Sequence, residues 1–197
     1  MRDSSSKQIL LSVLGVAILV IAVVGVSFAA FAFSKTGTKE NTISSGTISM
    51  TYTEGTAISI NNAMPMTDAA GKVLSGTGQV FTFTVGATIS GTATVSYEIA
   101  AIKKSGTIAD SNIRLYLEKS TTGASGTFSQ SFAPGPFVAR TTAGPNGAPV
   151  GSMILESGTF TTTKTNDYKL RMWLKDTAPI TGTSQNYTVT VNVYAKA

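Results

Sequence analysis

The chain predicts an all-β fold: a jelly-roll-like antiparallel β-sandwich behind an N-terminal hydrophobic helix. Three observations carry that expectation. From Ile9 to Phe33 the sequence is apolar, broken only by Ser12, Ser27, Gly15 and Gly25. Beyond residue 46, apolar residues recur at every second position in short runs, the period of half-buried strands. Glycine, asparagine and threonine punctuate those runs, and no window there shows a 3.6-residue stripe.

The N-terminal segment comes first. Met1 to Gln8 is polar, with Arg2 and Lys7, and the apolar run follows directly. About 20 apolar residues suffice to cross a hydrocarbon layer as a helix, so the run is long enough to insert in a membrane. Residues 1–29 are therefore read as a signal peptide or a membrane anchor. Small residues at Ser27, Ala29, Ala30 and Ala32 provide cleavage sites of the A-x-A kind. The run is also longer than an ordinary signal core, which leaves a retained anchor open. Lys35 and Lys39 balance Arg2 and Lys7, so flanking charge orients the segment weakly. With no second apolar span, the C-terminal body is expected outside, either released or at the cell surface.

Residues 30–46 are polar after Phe33 and read as an extended arm or linker. The sandwich is expected over 47–197. Its strands follow from alternation: Ile48, Met50 and Tyr52; Ile58 and Ile60; Phe81, Phe83 and Val85; Ala93, Val95, Tyr97 and Ile99; Ile113, Leu115 and Leu117; Tyr168, Leu170, Met172 and Leu174; Tyr187, Val189, Val191 and Val193. Seven short strands so spaced suit a sandwich or jelly roll. Ser120 to Gly151 carries Pro134, Pro136, Pro145 and Pro149, and proline cannot donate to a sheet ladder. A long irregular surface loop is expected at about 120–151. Phe128, Phe132 and Phe137 either tuck onto the sandwich or form exposed contacts.

Composition narrows function. The 197 residues contain neither Cys nor His. That removes disulfides, thiolate nucleophiles, cysteine-ligated metals and every imidazole-dependent triad. No carboxylate pair, calcium loop or phosphate loop is recognisable, so no catalytic residue, cofactor or metal is expected, and the chain is read as a non-enzyme. Gly76-Thr77-Gly78 precedes a strand and reads as a turn. Asn186-Tyr187-Thr188 is a formal glycosylation sequon at a strand start, read as coincidental. The net charge of +5 is scattered, with Lys103-Lys104 the longest basic run, and no nucleic-acid partner is expected. Trp173 falls on the outward side of its strand between Arg171 and Lys175, a possible contact surface unless something covers that face.

Several segments resemble the TasA/camelysin family of exported biofilm-matrix fibre proteins. Gly25-Val26-Ser27-Phe28-Ala29-Ala30-Phe31 is similar to the end of that family's signal segment, and Thr42 to Met50 to its first mature strand. Ile58 to Pro65 is similar to its step before a strand such as Gln79 to Val85. Tyr168 to Trp173 and Val191 to Ala195 resemble the closing strands of small members. The pattern departs after Pro65, where Met66 stands and an insertion, Asp68 to Gly76, follows. The resemblance implies a jelly roll, processing by a dedicated signal peptidase, and assembly into extracellular fibres. Some members are described as metalloproteases, but a chain without His inherits no such zinc site.

These readings converge on a fibre or matrix subunit that polymerises with itself head to tail. Unpaired strand edges are templates for another chain, and a donated strand from the arm, with Phe31, Phe33, Thr42 and Ile43, would add to the next subunit's sheet. The rival expectation is a membrane-anchored adhesion module using the 120–151 loop or the Trp173 face. The mass of the native N-terminus separates the two.

Overall fold

The computed structural model describes residues 16, 32–36, 41–45, 48–55, 58, 60–61, 64–180 and 185–197. The expected apolar helix over Ile9–Phe33 therefore lies, but for Val16, Ala32 and Phe33, outside the described residues. Among the described residues no helix is long and apolar enough to cross a membrane.

Two antiparallel sheets hold the body. One orders β1 (Ala32–Thr36), β11 (Asn186–Lys196), β6 (Val95–Gly106) and β9 (Ser152–Phe160), with β4 (Ile60–Asn61) paired to the start of β11. The other orders β2 (Asn41–Ser45), β3 (Ile48–Glu54), β5 (Val80–Ile89), β10 (Lys164–Leu174), β7 (Ile113–Ser120) and β8 (Ser129–Gly135). Five of the seven expected runs lie wholly within strands; Ala93 precedes β6 and Ile58 lies outside β4, so those two runs are strand only in part.

Register explains the core. Tyr168 lies opposite Phe83, and Leu170 opposite both Phe81 and Leu117, so one face of β5, β10 and β7 is wholly apolar at its centre. In the facing sheet Val193 lies opposite Ile99 and Val191 opposite Ala101. These two faces pack into one buried cluster from Met50 to Ala195. Phe83 stacks on Tyr168 at 5.0 Å between ring centres, and Tyr97 on Phe160 at 4.8 Å. Aromatic pairs at this spacing add to simple area burial.

The 120–151 expectation needs correction, the choice left open for its aromatic residues is resolved for two of them, and one strand appears that alternation did not predict. The 120–151 segment is not loop throughout, because β8 lies within it as an edge strand on β7, the position in which Pro134 costs no ladder bond. Phe137 is buried and Phe132 packs against the core, so those two are tucks; Phe128 sits under the Lys169 ammonium, 3.8 Å from its ring centre. β9 went unread because Glu156 and Gly158 interrupt its alternation, and a bulge opposite Ile99/Ala100 shifts its period.

The segment read as an arm runs as two strands on different sheets. β1 pairs with β11, Phe33 opposite Ala195; β2 pairs with β3, Thr42 opposite Thr51 and Ile43 opposite Met50. Phe31 lies outside the described residues.

Candidate functional site

Among the described residues, β11 has an incompletely covered edge. β4 pairs with Asn186 and Tyr187, and β1 with Asn192 to Lys196. Between them, Thr188 to Val191 has no strand on that side among the described residues. Beneath this gap lies a cleft of about 440 Å³ that opens between the sheets. Phe81, Leu170 and Met172 form its floor, Val189 and Val191 one wall, and Glu54, Gly55 and Ile58 its rim. The Thr190 hydroxyl is buried there without a hydrogen-bond partner.

Local sequence explains the rim. Gly55 donates its N–H to the Thr82 carbonyl at 2.7 Å, and a Cβ on Gly55 would collide with Thr82. The chain therefore leaves β3 close against β5 only with glycine at that position. The Tyr52 hydroxyl lies 2.8 Å from Glu54 Oε1 and 3.0 Å from the Val191 carbonyl, tying the cleft's two walls together. Burial, then the neighbouring Glu54 carboxylate, push the Tyr52 phenol far above its ordinary value, so it stays a donor. The arrangement offers main-chain donors and acceptors above an apolar slot with one carboxylate at its lip. Such a site fits an extended peptide carrying an apolar side chain.

A second constellation closes the opposite side of the sandwich. Glu156 Oε1 accepts from Lys119 Nζ at 2.6 Å, the Tyr97 hydroxyl at 2.9 Å and the Tyr168 hydroxyl at 3.0 Å. Ser131 donates to its other oxygen. Burial foremost raises both phenols, and the Glu156 charge adds to it. Burial would lower the Lys119 ammonium, but its bond to Glu156, the Glu156 charge and the Tyr97 hydroxyl together outweigh that and raise it. The cluster joins β6, β7, β8, β9 and β10 through one carboxylate.

The expected Trp173 contact surface is not available. Trp173 does point away from the inter-sheet core, yet it is 1% exposed, and Arg171 is buried as well. The short helix α1 (Asp68–Lys72), capped by Thr67 and lying in the Asp68–Gly76 insertion, covers them both. Gly71 lies directly on the indole, and Lys72 sits 5.5 Å from the Tyr116 ring centre. Arg171 donates to the Leu74 carbonyl at 2.7 Å and ion-pairs with Glu118. Lys175 alone keeps partial exposure, its N–H bonded to the Asn112 carbonyl at 2.9 Å. Alternation assigned the face correctly but carries no information on what lies over it.

The donated-strand residues are brought together only in part: Phe33 belongs to the β11 edge, whereas Thr42 and Ile43 lie on the other sheet. Sequence reasoning missed the cleft, whose floor residues were assigned to core. Among the described residues no group of three or more Asp and Glu side chains is placed to hold a metal ion. Comparison of the chain with family models, with curated proteins and with solved structures returns no match.

Proposed function

We propose that this chain is an exported structural subunit of an extracellular fibre, a jelly roll that assembles by donating its N-terminal strand to the β11 edge of the next copy. One observation carries the reading: β1 joins the body through main-chain pairing to β11, at an edge that, among the described residues, β4 and β1 cover incompletely. A ladder of main-chain bonds forms equally well with the same strand from another copy, so exchange converts an internal pairing into a link between subunits. Because donor and acceptor are different surfaces, such links run head to tail and propagate filaments. The 440 Å³ cleft under Thr188–Val191 supplies a slot for an apolar side chain of the donor. The resemblance of both chain ends to the TasA/camelysin family, and the apolar run Ile9–Phe33 as an export signal, support the same reading.

Removal of residues 30–45 is the test. The truncated protein is expected to remain a folded β-rich monomer and to form no filaments under conditions in which the processed chain does. Electron micrographs showing filaments of the truncated protein would refute strand donation.

A further inference from the structure

We propose that Lys119 and Asn166 become joined by an intramolecular amide bond across β7 and β10, with Glu156 as the proton carrier. This inference is independent of how subunits assemble.

Three observations place the groups. On the inward faces of β5, β10 and β7 the residues are apolar or aromatic with three exceptions, Lys119, Asn166 and Lys164; Lys164 is exposed at the start of β10, so the covered part of that layer holds one amine and one carboxamide. Lys119 lies opposite Tyr168, which puts Asn166 one diagonal step away on the same face. Diagonal neighbours in a sheet are roughly 7–8 Å apart, within reach of a long side chain such as lysine. Asn166 is 4% exposed and its Oδ1 is buried with no hydrogen-bond partner, a state that buried carboxamides rarely occupy. The acid comes from the facing sheet: Glu156, on β9, holds Lys119 Nζ at 2.6 Å, with the Tyr97 and Tyr168 hydroxyls closing around both.

The chemistry balances with these groups alone. Lys119 passes a proton to Glu156, leaving a neutral amine and a neutral acid. The Nζ lone pair attacks Asn166 Cγ, and the Cγ–Nζ bond forms as the Cγ–Nδ2 bond breaks. Glu156 returns its proton to the departing nitrogen, which takes the second amine proton and leaves as ammonium. Nothing is oxidised or reduced, and Glu156 ends as the carboxylate it began. The product fastens two neighbouring strands at the centre of one sheet, a covalent constraint for a chain that has no cysteine to supply one.

Tryptic digestion of the full-length protein followed by mass spectrometry decides the matter. The amide blocks cleavage at Lys119, so the expected product is a branched species. It joins Leu115–Arg140 to Thr165–Lys169 and is lighter than their sum by one ammonia. A cyclised Asn146-Gly147 also loses ammonia, but that loss would fall in Thr141–Lys164 and link nothing. Lys119→Arg, which keeps the ion pair, and Asn166→Ala are each expected to abolish the branched species. Glu156→Gln is expected to slow its appearance at least tenfold after refolding; equal rates would remove Glu156 from the scheme. Full recovery of free Leu115–Lys119 and Thr165–Lys169 from the wild-type chain overturns the proposal, whatever the variants do.

Discussion

Trp173 shows how much one neighbour decides. It is the single tryptophan of the chain, its indole N–H is buried without a partner, and Gly71 is pressed against its ring. A methyl group on Gly71 would fall inside the indole, which is anchored in β10 and cannot step aside. Alanine gains up to about 1 kcal/mol over glycine in a helix, but overpacking costs about 1–3 kcal/mol. Gly71→Ala is therefore expected to destabilise by about 1–2 kcal/mol, read as a lower midpoint in urea. The same burial makes native Trp173 emission blue-shifted, with a red shift on unfolding; native emission like that of free tryptophan would contradict the covered face. The Glu156 cluster sets an alkaline limit. Tyr97, Tyr168 and Lys119 all hold their protons more tightly when folded than unfolded, the tyrosines from an ordinary value of 10.0. A raised folded value gives stability that is complete below the unfolded pKa and is lost as pH climbs through the folded one. Stability should fall steadily above about pH 10, and Tyr168→Phe should flatten that fall in melts recorded across the range.

At the scale of elements, each sheet has its outer face covered by a segment that lacks strand periodicity. α1 covers Trp173, Arg171 and Tyr116 on one side. On the other, residues 140–148 fold over β6. There the 1% exposed Glu98 accepts the Asn146 N–H at 3.1 Å and faces Arg140 Nη1 at 3.5 Å. Tyr194, Ala100 and Ala148 form a small separate cluster beside it. The pair is one-sided: Arg140 keeps 28% exposure while Glu98 has 1%, so solvent can serve the cation but not the carboxylate. Glu98→Ala leaves the Asn146 N–H unsatisfied and should cost about 1–3 kcal/mol. Faster hydrogen exchange at Asn146 and Gly144, with β10 unchanged, would locate the loss in this segment. Exchange accelerated equally everywhere would mean that the loop belongs to the global folding unit. The 120–151 stretch is thus two elements, an edge strand and a clasp.

For the whole molecule, the arrangement of edges matters more than any side chain. β1 and β2 come from one short segment but sit on opposite sheets, so releasing the segment uncovers an edge of each. Truncation of residues 30–45 removes both strands while leaving the cluster from Met50 to Ala195 whole. A β-rich circular dichroism spectrum that persists in the truncated chain, with unfolding still cooperative, is the expected outcome. Loss of cooperativity would show that the arm is integral to the core and would undercut its role as an exchangeable strand.

Strand positions were legible in the chain itself wherever one face meets the core and the other meets water. There, alternation is a direct imprint of burial, as in Phe81-Thr82-Phe83-Thr84-Val85. The absence of Cys and His was equally plain, and it removed whole classes of chemistry before any geometry was considered. What lay beyond reach was everything that depends on two distant segments meeting. Trp173 was placed on the correct side of its strand, but only the fold brings Gly71 over it. β9 escaped notice because Glu156 and Gly158 occupy inward positions, and a carboxylate is tolerable there only once Lys119, Tyr97 and Tyr168 surround it. The cleft beneath Thr188–Val191 exists because β3, β5, β10 and β11 converge, and none of them records the gap alone. Periodicity reports how each residue divides between core and solvent, a local property. Contacts across sheets and over their faces are set by chain closure, and local sequence does not encode them.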